Sequence, residues 1–246
     1  MKLSFDEMRK LQQRKYRERF GFFIAEGEHL VQELEKASDS NAALRASEIY
    51  VSDAQAFSSK RFETHVISAK HMARICATQT PQGIFALVPI SALTQERLSS
   101  SAQRAVYLYE VQDPGNLGTI LRSLAWFGAA RCLLSPGSVD PFNPKVVRAS
   151  MGAIFHVPIE TEVPLAAIAE NYPRIAALDM QGKDIADPQF GEHDLYIFGN
   201  EARGIPHADL AHLQPSLFSI PGTGAVESLN LGTVVSLCAY AISRQA

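Results

Sequence analysis

The chain has 246 residues, of which 46% are hydrophobic and 20% are charged, and its formal net charge is −3. This length allows one large domain or two small ones, and the composition is that of a globular protein and not of a disordered one. The charge balance excludes a polycation, no apolar stretch is long enough to span a bilayer, and no secretory signal precedes the charged N-terminal segment. We therefore expect a cytoplasmic globular protein without a membrane segment.

The cysteines and histidines give no sign of a metal centre. The three cysteines, Cys76, Cys132 and Cys238, lie far apart among apolar residues, and the seven histidines show no ligand spacing. This pattern predicts buried free thiols in a reducing compartment. We expect no metal site and no disulfide framework.

Short helices and strands alternate in the first 90 residues. The pattern predicts helices over 5–19, 28–37 and 69–77, and strands over 22–24, 48–51, 65–67 and 84–88. Such alternation indicates a small α/β domain, whose length allows about four strands. We assign residues 1–90 to this domain.

A basic run opens the N-terminal domain. Between Lys2 and Arg19 there are seven basic residues against three acidic ones. Taken alone, the run is typical of the solvated face of a surface helix. The alternative is an element that contacts phosphates, and a nucleic-acid substrate would favour it.

The composition turns polar over 91–104, which predicts a linker to a second domain over 105–246. The second domain is predicted to hold strands over 106–111, 132–134, 157–159, 174–178, 195–198 and 217–220. One helix is predicted to follow the turn at 115–118 and to end at residue 127, and another to cover 229–243. The short apolar runs fit strands that are buried on both faces. We therefore expect a Rossmann-like, mostly parallel sheet.

The first block with chemical potential follows the first strand of this domain, at 113–123. Asn116 is a candidate cap for the following helix, and the glycines beside it permit the turn. Arg122 falls on an otherwise apolar helix, where a guanidinium needs a partner or a cleft. Its planar donors suit bidentate binding of a phosphate.

Two further blocks follow later strands. In the loop 199–204 the glycines allow close approach of a ligand to the backbone, and Glu201 is either an anion at a helix start or a carboxylate that faces a ligand. In the third block, Ser228 is a candidate helix cap and Asn230 lies in the expected first turn. Carboxyl ends of strands are where open α/β sheets bind ligands, so the blocks predict one site.

Several known motifs are missing from the sequence. It contains no GxGxxG of the dinucleotide-binding type after the first strand, no GxxxxGK[ST] and no GxSxG. What remains are loops rich in backbone donors with an arginine, a carboxylate, a hydroxyl and amides. These groups suit a transfer reaction that is driven by an already activated cofactor.

Together the three blocks resemble the SpoU/TrmH-type RNA ribose 2′-O-methyltransferases of the SPOUT superfamily. The family pattern Asn-x-Gly-x-x-x-Arg matches at 116–122, Gly-x-Glu-x-x-Gly at 199–204, and Ile-Pro with Ser-Leu-Asn at Ile220, Pro221 and 228–230. Residues 145–153 also look like the family. The segments 23–27 and 80–84 resemble, less specifically, the ribosomal-protein-like domain with which many members bind their substrate.

The resemblance implies an α/β fold with a deep C-terminal trefoil knot, a homodimer, an RNA substrate and S-adenosyl-L-methionine as cofactor. It further implies two sets of site residues. The implied catalytic residues are Asn116, Arg122, Glu201, Ser228 and Asn230. The implied cofactor-binding residues are Gly199, Asn200, Glu201, Gly204, Ile220, Pro221 and Leu229.

The implied reaction is methyl transfer to a ribose 2′-hydroxyl of structured RNA, and the expected RNA is ribosomal RNA. The reaction requires no metal. Because a guanidinium stays protonated, it is a poor base, and we expect Arg122 to grip a phosphate and stabilise the developing alkoxide. Glu201 is expected to organise its loop or to contact Arg122. The alternatives are a transfer RNA substrate, methylation of a base, or a non-catalytic RNA-binding protein of the same fold.

Overall fold

A computed structural model describes residues 3–55, 57–94, 104–128 and 131–245. Its helices are α1 (Phe5–Lys10), α2 (Arg14–Phe20), α3 (Glu28–Ser40), α4 (Ala69–Ile75), α5 (Ser91–Thr94), α6 (Pro114–Phe127), α7 (Pro144–Ala149), α8 (His207–Leu210) and α9 (Leu231–Arg244). Its strands are β1 (Phe22–Glu26), β2 (Glu48–Val51), β3 (Glu63–Val66), β4 (Ile84–Pro89), β5 (Ala105–Leu108), β6 (Arg131–Leu134), β7 (Ile159–Glu160), β8 (Ile175–Asp184), β9 (Leu195–Phe198) and β10 (Ser216–Ser219). The predicted α/β class is confirmed.

The chain forms two compact units, and their division differs from the expected boundaries. The first unit comprises Met1–Glu96 together with Asp140–His156, and the second comprises Arg97–Val139 together with Val157–Ala246. The segment Asp140–His156 lies within the range expected for the C-terminal domain, yet it packs with the first unit. Of the expected linker, residues 91–94 form α5, and 95–103 lie outside the described residues.

The first unit is built on a four-stranded mixed sheet in the order β1-β4-β2-β3. Strand β4 pairs antiparallel with β1 and β2, and β2 pairs parallel with β3. The expectation of about four strands is confirmed. The helix expected over 5–19 is two helices, because the chain turns at the buried Leu11 and the second helix starts at Arg14.

A buried ion pair ties the segment Asp140–His156 to α2. Arg17 is 3% exposed, and its Nε and Nη2 donate to Asp140 Oδ2, the first at 2.8 Å, while Nη1 donates to the carbonyl of Leu11 at 2.6 Å. Arg17 therefore belongs to the interior of the first unit. Arg17 therefore neither faces solvent nor contacts phosphates, which were the two roles expected for the basic run between Lys2 and Arg19.

The second unit is built on a six-stranded sheet in the order β10-β8-β9-β5-β6-β7. Every neighbouring pair is parallel, which confirms the predicted parallel sheet. The central strands β5, β6 and β9 are buried along their whole length, as expected for strands covered on both faces. Helices α6 and α9 pack against each other.

The cysteines are free thiols. Cys132 and Cys238 are buried, as expected, whereas Cys76 is half-buried. Burial raises the pKa of the Cys132 thiol to about 12. Among the described residues no cluster of three or more His, Cys, Asp or Glu side chains could hold a metal ion, and no helix there is long and apolar enough to cross a membrane.

Candidate functional site

Three loops leave the same edge of the parallel sheet in the second unit. They follow β5, β9 and β10, and the last of them leads into α9. From β5 the chain first adds β6 and β7 on one side and then places β8, β9 and β10 on the other. Strands β5 and β9 therefore flank the point where the strand order reverses, which is where open α/β sheets form a ligand crevice.

The Glu201 carboxylate is bound to the start of α6. It accepts hydrogen bonds from the backbone N–H groups of Gln112 and Asp113 at 3.2 Å each and from the side-chain amide of Asn116 at 3.1 Å. The first N–H groups of a helix lack partners within it, and the helix dipole favours a negative charge there. Glu201 therefore fastens the loop after β9 to the loop after β5. It does so without contacting Arg122, which had been one of its two expected roles.

The Asn116 side chain continues this network to the third loop. Its Oδ1 accepts a hydrogen bond from the Asn230 side-chain amide at 2.8 Å, while its Nδ2 donates to Glu201. These two partners fix which end of the Asn116 amide carries the oxygen. The chain Glu201–Asn116–Asn230 thus joins all three blocks that the sequence singled out.

The loop 199–204 depends on its two terminal glycines. A Cβ on Gly199 would lie 2.1 Å from the Gly204 carbonyl carbon, and Gly204 has a φ of +67°. The backbone of Asn200 pairs in both directions with that of Gly204, at 3.0 and 2.9 Å. The left-handed φ that these glycines allow occurs at Gly204, whereas Gly199 is required by the close approach of the loop's own backbone.

Asn200 is a residue that shapes this loop. It is 8% exposed, its Oδ1 accepts from the backbone N–H groups of Ala202 and Arg203, and its Nδ2 donates to the carbonyl of Glu110 at 2.7 Å. These bonds engage both ends of its amide within the protein. Any ligand contact by Asn200 would come from its backbone.

Sequence analysis missed Glu110. This residue has a φ of +49°, it follows β5, its N–H donates to Ser135 Oγ at 2.7 Å, and its carboxylate forms an ion pair with Arg203. A positive φ at a residue that is not glycine is uncommon and is held in place by its surroundings. No local sequence signal predicts the positive φ of Glu110, because the residues that hold it are distant in the sequence: Ser135 follows β6, and Arg203 lies in the loop 199–204.

Two expected helix caps are wrong. Helix α6 is capped by Asp113, which accepts from the Asn116 N–H at 2.7 Å, and α9 is capped by Asn230, which accepts from the Thr233 N–H at 3.3 Å. Asn116 therefore lies inside α6, and Ser228 lies before α9. The Asp-Pro pair at the start of α6 is a known helix-start signal that identifies Asp113.

Arg122 lies on the exposed face of α6, in the stripe that also holds Thr119 and Trp126. Within the described part of the chain its guanidinium has no hydrogen-bond or ion-pair partner. The apolar face of the helix is buried, so the arginine points away from the core. It is free to bind an anion.

The stretch between β10 and α9 is open. Residues 221–230, which include Pro221, Ser228 and Leu229, are exposed, and Ile220 is partly exposed. A Cβ added at Gly204 or Gly222 would meet no protein atom within 4 Å. The loops thus leave room beside exposed backbone, which fits a ligand held by backbone groups.

Two family models match successive parts of the chain. Residues 103–240 match the model of the SpoU rRNA methylase family, and residues 6–86 match the MRM3-like substrate binding domain. The first match covers more than half of the chain and contains all the site residues named above.

Individual relatives agree with these matches. The chain is 29% identical to the Bacillus subtilis 23S rRNA (guanosine(2553)-2′-O)-methyltransferase RlmP, over 95% of this chain and 93% of that one. It is 32% identical to the mouse mitochondrial rRNA methyltransferase 3, over 65% of this chain and 40% of the mouse protein. Among solved structures, a TrmH-family protein of Porphyromonas gingivalis is 29% identical and superposes with a TM-score of 0.82 over the whole of both chains. An rRNA methyltransferase of Sinorhizobium meliloti with AdoMet bound is 23% identical, with a TM-score of 0.79 over 98% of this chain and 94% of the other, and shows the shared fold.

Proposed function

Since the chain belongs to the SpoU rRNA methylase family, we propose that it transfers a methyl group from S-adenosyl-L-methionine to a ribose 2′-hydroxyl of structured RNA. The observation that carries this proposal is the chain Glu201–Asn116–Asn230, which joins the three loops at one sheet edge. The cofactor supplies an activated methyl group on a sulfonium. The protein's part is to align the hydroxyl and to stabilise the charge that develops on it.

Within this reaction the loops have separate roles. Backbone around Gly199, Gly204, Ile220, Pro221 and Leu229 holds the adenosyl group. Side chains then orient the ribose: Asn116 and Asn230 present amides that are already fixed by the network, and Ser228 presents a hydroxyl. Preorganised groups of this kind cost little reorganisation at the moment of reaction.

Arg122 binds the RNA phosphate beside the target ribose. Its exposed guanidinium leaves it free to take an anion, and a guanidinium acts as an electrostatic stabiliser and not as a base. The 2′-oxygen forms the bond to the methyl carbon as the carbon–sulfur bond breaks, and the hydroxyl proton leaves to the solvent. The positive charge near the oxygen lowers the cost of that proton loss.

Ribosomal RNA is the proposed substrate. The names of the Bacillus subtilis and mouse relatives support this choice, and so does the match of residues 6–86 to a substrate-binding domain. We also propose a cytoplasmic location, which the bacterial relative supports. Transfer RNA is the second candidate, and mapping of 2′-O-methyl groups in RNA from cells that lack the protein separates the two.

The active form is proposed to be a homodimer with the C-terminal knot implied by family resemblance. Helices α6 and α9 expose large apolar side chains, with Trp126 at 84%, Leu237 at 40% and Tyr240 at 53% exposure. The rings of Phe127 and Tyr240 lie 5.7 Å apart, so this apolar surface spans both helices. A cluster of exposed large apolar side chains of this kind supports an interface with a second copy of the chain.

The proposal is tested with Arg122→Ala. We expect methyl transfer to fall by at least a hundred-fold, roughly 2.7 kcal/mol of transition-state stabilisation, while S-adenosyl-L-methionine affinity measured by calorimetry stays within about two-fold of the wild type. Arg244→Ala, which removes an exposed arginine near the end of α9, is the matched control and keeps full activity. A loss of only ten-fold or less would remove Arg122 from the centre of the reaction. A wild-type protein that binds RNA but no cofactor would favour the non-catalytic alternative.

A further inference from the structure

The first unit carries an open cleft between α1 and α4. Its volume is about 270 Å³, just below the usual range for small-molecule pockets. It is lined by Ser4, Phe5, Asp6, Arg9, His71, Arg74 and Ile75. Two guanidinium groups thus face one carboxylate across a cleft with an aromatic wall.

The aromatic wall is a ring pair open to solvent. The rings of Phe5 and His71 lie 4.4 Å apart with an interplanar angle of 37°, and Phe5 remains 39% exposed. Exposed aromatic rings serve as platforms on which an unpaired base stacks, whereas the bases of a duplex hide their faces in the helix. The wall therefore favours a flat unpaired base over an acidic peptide, which would use the arginines alone.

Both arginines of the cleft can take a phosphate. Arg9 is exposed and has no hydrogen-bond or ion-pair partner within the described ranges. Arg74 has a long contact of 3.4 Å with Asp6, and both side chains are more than half exposed. An exposed ion pair of this geometry is weak, so a phosphate can replace the carboxylate as the partner of Arg74.

Basic and aromatic groups extend from the cleft along α1 and α2. Lys10, which follows Arg9, places its Nζ 5.6 Å from the centre of the Tyr16 ring, and Lys15 places its own at 4.9 Å. The Tyr16 ring stacks at 6.0 Å on Phe20, and the Arg19 guanidinium lies 5.5 Å from the centre of the Phe20 ring. Alternating cations and rings of this kind track a nucleic-acid backbone beyond a single nucleotide.

We propose that this cleft binds one unpaired nucleotide of single-stranded RNA, with its base stacked on Phe5 and His71 and its phosphate held by Arg9 and Arg74. The inference rests on the proposed action of the protein on RNA. It adds a second RNA contact, in the first unit, that captures a splayed nucleotide of the substrate.

The test measures binding of a short unstructured RNA oligonucleotide to the full chain. Fluorescence anisotropy reports the affinity over a range of salt concentrations. We expect the double variant Arg9→Gln/Arg74→Gln to weaken binding roughly ten-fold or more and to flatten the salt slope by about 0.7, because one phosphate contact is lost. Phe5→Ala should weaken binding roughly five-fold or more through lost stacking, with an unchanged salt slope. Arg45→Gln is the matched control, since Arg45 is an exposed arginine of the same unit outside the cleft.

Four results overturn the proposal: wild-type affinity in the cleft variants, an equal loss in Arg45→Gln, a loss of duplex binding in the cleft variants as large as their loss of single-strand binding, or binding of adenosine monophosphate as tight as that of the oligonucleotide. Circular dichroism of each variant ensures that a loss of binding is not a loss of fold. Cofactor affinity and ribose methylation are measured in parallel. If the wild-type protein binds the oligonucleotide through the cleft but methylates no RNA, the proposed function is wrong and the proposed nucleotide site in the cleft is retained. If the protein methylates RNA while the cleft variants bind the oligonucleotide normally, the proposed function is retained and the nucleotide site is wrong.

Discussion

At the scale of single residues, the Glu201 carboxylate organises the site by accepting hydrogen bonds from another loop. Glu201 is exposed, yet it accepts hydrogen bonds from two backbone N–H groups and one amide. Hydrogen bonds to a charged acceptor are stronger than those between neutral groups, although exposure to water reduces their net effect. The residue therefore determines where Asn116 points, and through it Asn230.

We expect Glu201→Gln to disturb the site more than the fold. A glutamine that keeps its oxygen at the Oε1 position turns its NH₂ group toward the Gln112 N–H, and it removes the negative charge at the start of α6, so the loop after β9 shifts. Methyl transfer should fall by roughly ten-fold or more, on the order of 1.4 kcal/mol, with little change in melting temperature. Glu170→Gln removes an exposed carboxylate of the same unit and serves as the control. Wild-type kinetics in Glu201→Gln would show that the network has no part in the reaction.

Thiol chemistry gives a second prediction at this scale. Burial raises the pKa of Cys132 to about 12 and also raises that of Cys238, so neither thiol ionises near neutral pH. Because the thiolate is the reactive form, iodoacetamide should leave both residues unmodified in the native protein at pH 7 and modify them only after unfolding. Mass spectrometry of digested samples measures this. Rapid labelling of either cysteine in folded protein would contradict the buried positions.

At the scale of elements, the loop after β9 is a closed turn whose two ends touch. The added Cβ at Gly199 would meet backbone atoms of Gly204 and Ile205, which cannot move aside as a flexible side chain would. This contact explains a glycine at a position with no left-handed φ. The start of helix α6 is also held by specific contacts. Asp113 caps the helix, and Glu201 accepts hydrogen bonds from backbone N–H groups at its start.

Gly199→Ala should therefore open the loop. We expect cofactor affinity to fall by roughly ten-fold or more, because the backbone that holds the adenosyl group moves. Gly128→Ala, at the end of α6 and outside the three loops, adds the same methyl group where nothing lies within 4 Å and provides the control. Isothermal titration calorimetry compares the two variants. Equal affinities would mean that the cofactor does not depend on the shape of the loop after β9.

At the scale of the whole molecule, one buried ion pair fixes a distant segment to the N-terminal sheet. Arg17 and Asp140 are separated by 123 residues, and their side chains are 3% and 12% exposed. Phe142 extends this contact, with its ring 5.0 Å from that of Phe23. The N-terminal helices thus belong to the core, which also contains Leu3, Met8 and Leu11. Point variants, and not a deletion of the basic run, are therefore the right probes of RNA capture.

Removal of one partner of this pair should destabilise the protein strongly. Arg17→Met leaves Asp140 buried without its partner, which costs about 3–5 kcal/mol, and each kcal/mol lowers the melting temperature by roughly 2–4 °C for a chain of this size. The control is Arg174→Met, because Arg174 forms a two-nitrogen ion pair with Asp194 at the surface, where such pairs contribute little to stability. Calorimetric melting tests both. Similar melting temperatures for the two variants would refute a stabilising role for the buried pair.

The proposed dimer belongs to the same scale. We expect sedimentation at micromolar concentration to give a dimer, and Tyr240→Glu to give a monomer with reduced activity, since a charge cannot be buried in an apolar interface without a partner. Val66→Glu, on the exposed strand β3, is the control and should remain dimeric. A fully active wild-type monomer would refute the proposal.

The sequence by itself determined the elements and the composition of the site. Strands β2 and β9 lie where the sequence predicted them, the parallel sheet was correctly expected, and all three blocks lie at its carboxyl edge. These features are local: hydrophobic periodicity, glycine positions and short motifs act over a few residues. The misplaced caps at α6 and α9 show the limit of that information, because several polar residues near a helix start can each serve as the cap.

Only the tertiary structure decided which of these side chains meet. Asn116 is separated from Glu201 by 85 residues and from Asn230 by 114, and their contacts depend on β9 lying beside β5 in the sheet. Likewise, nothing near Arg17 in the sequence marks it as buried, since its partner Asp140 comes from a segment beyond β6. Strand order and packing arise from the burial of the whole core, so long-range pairs of this kind become visible only when the chain is folded.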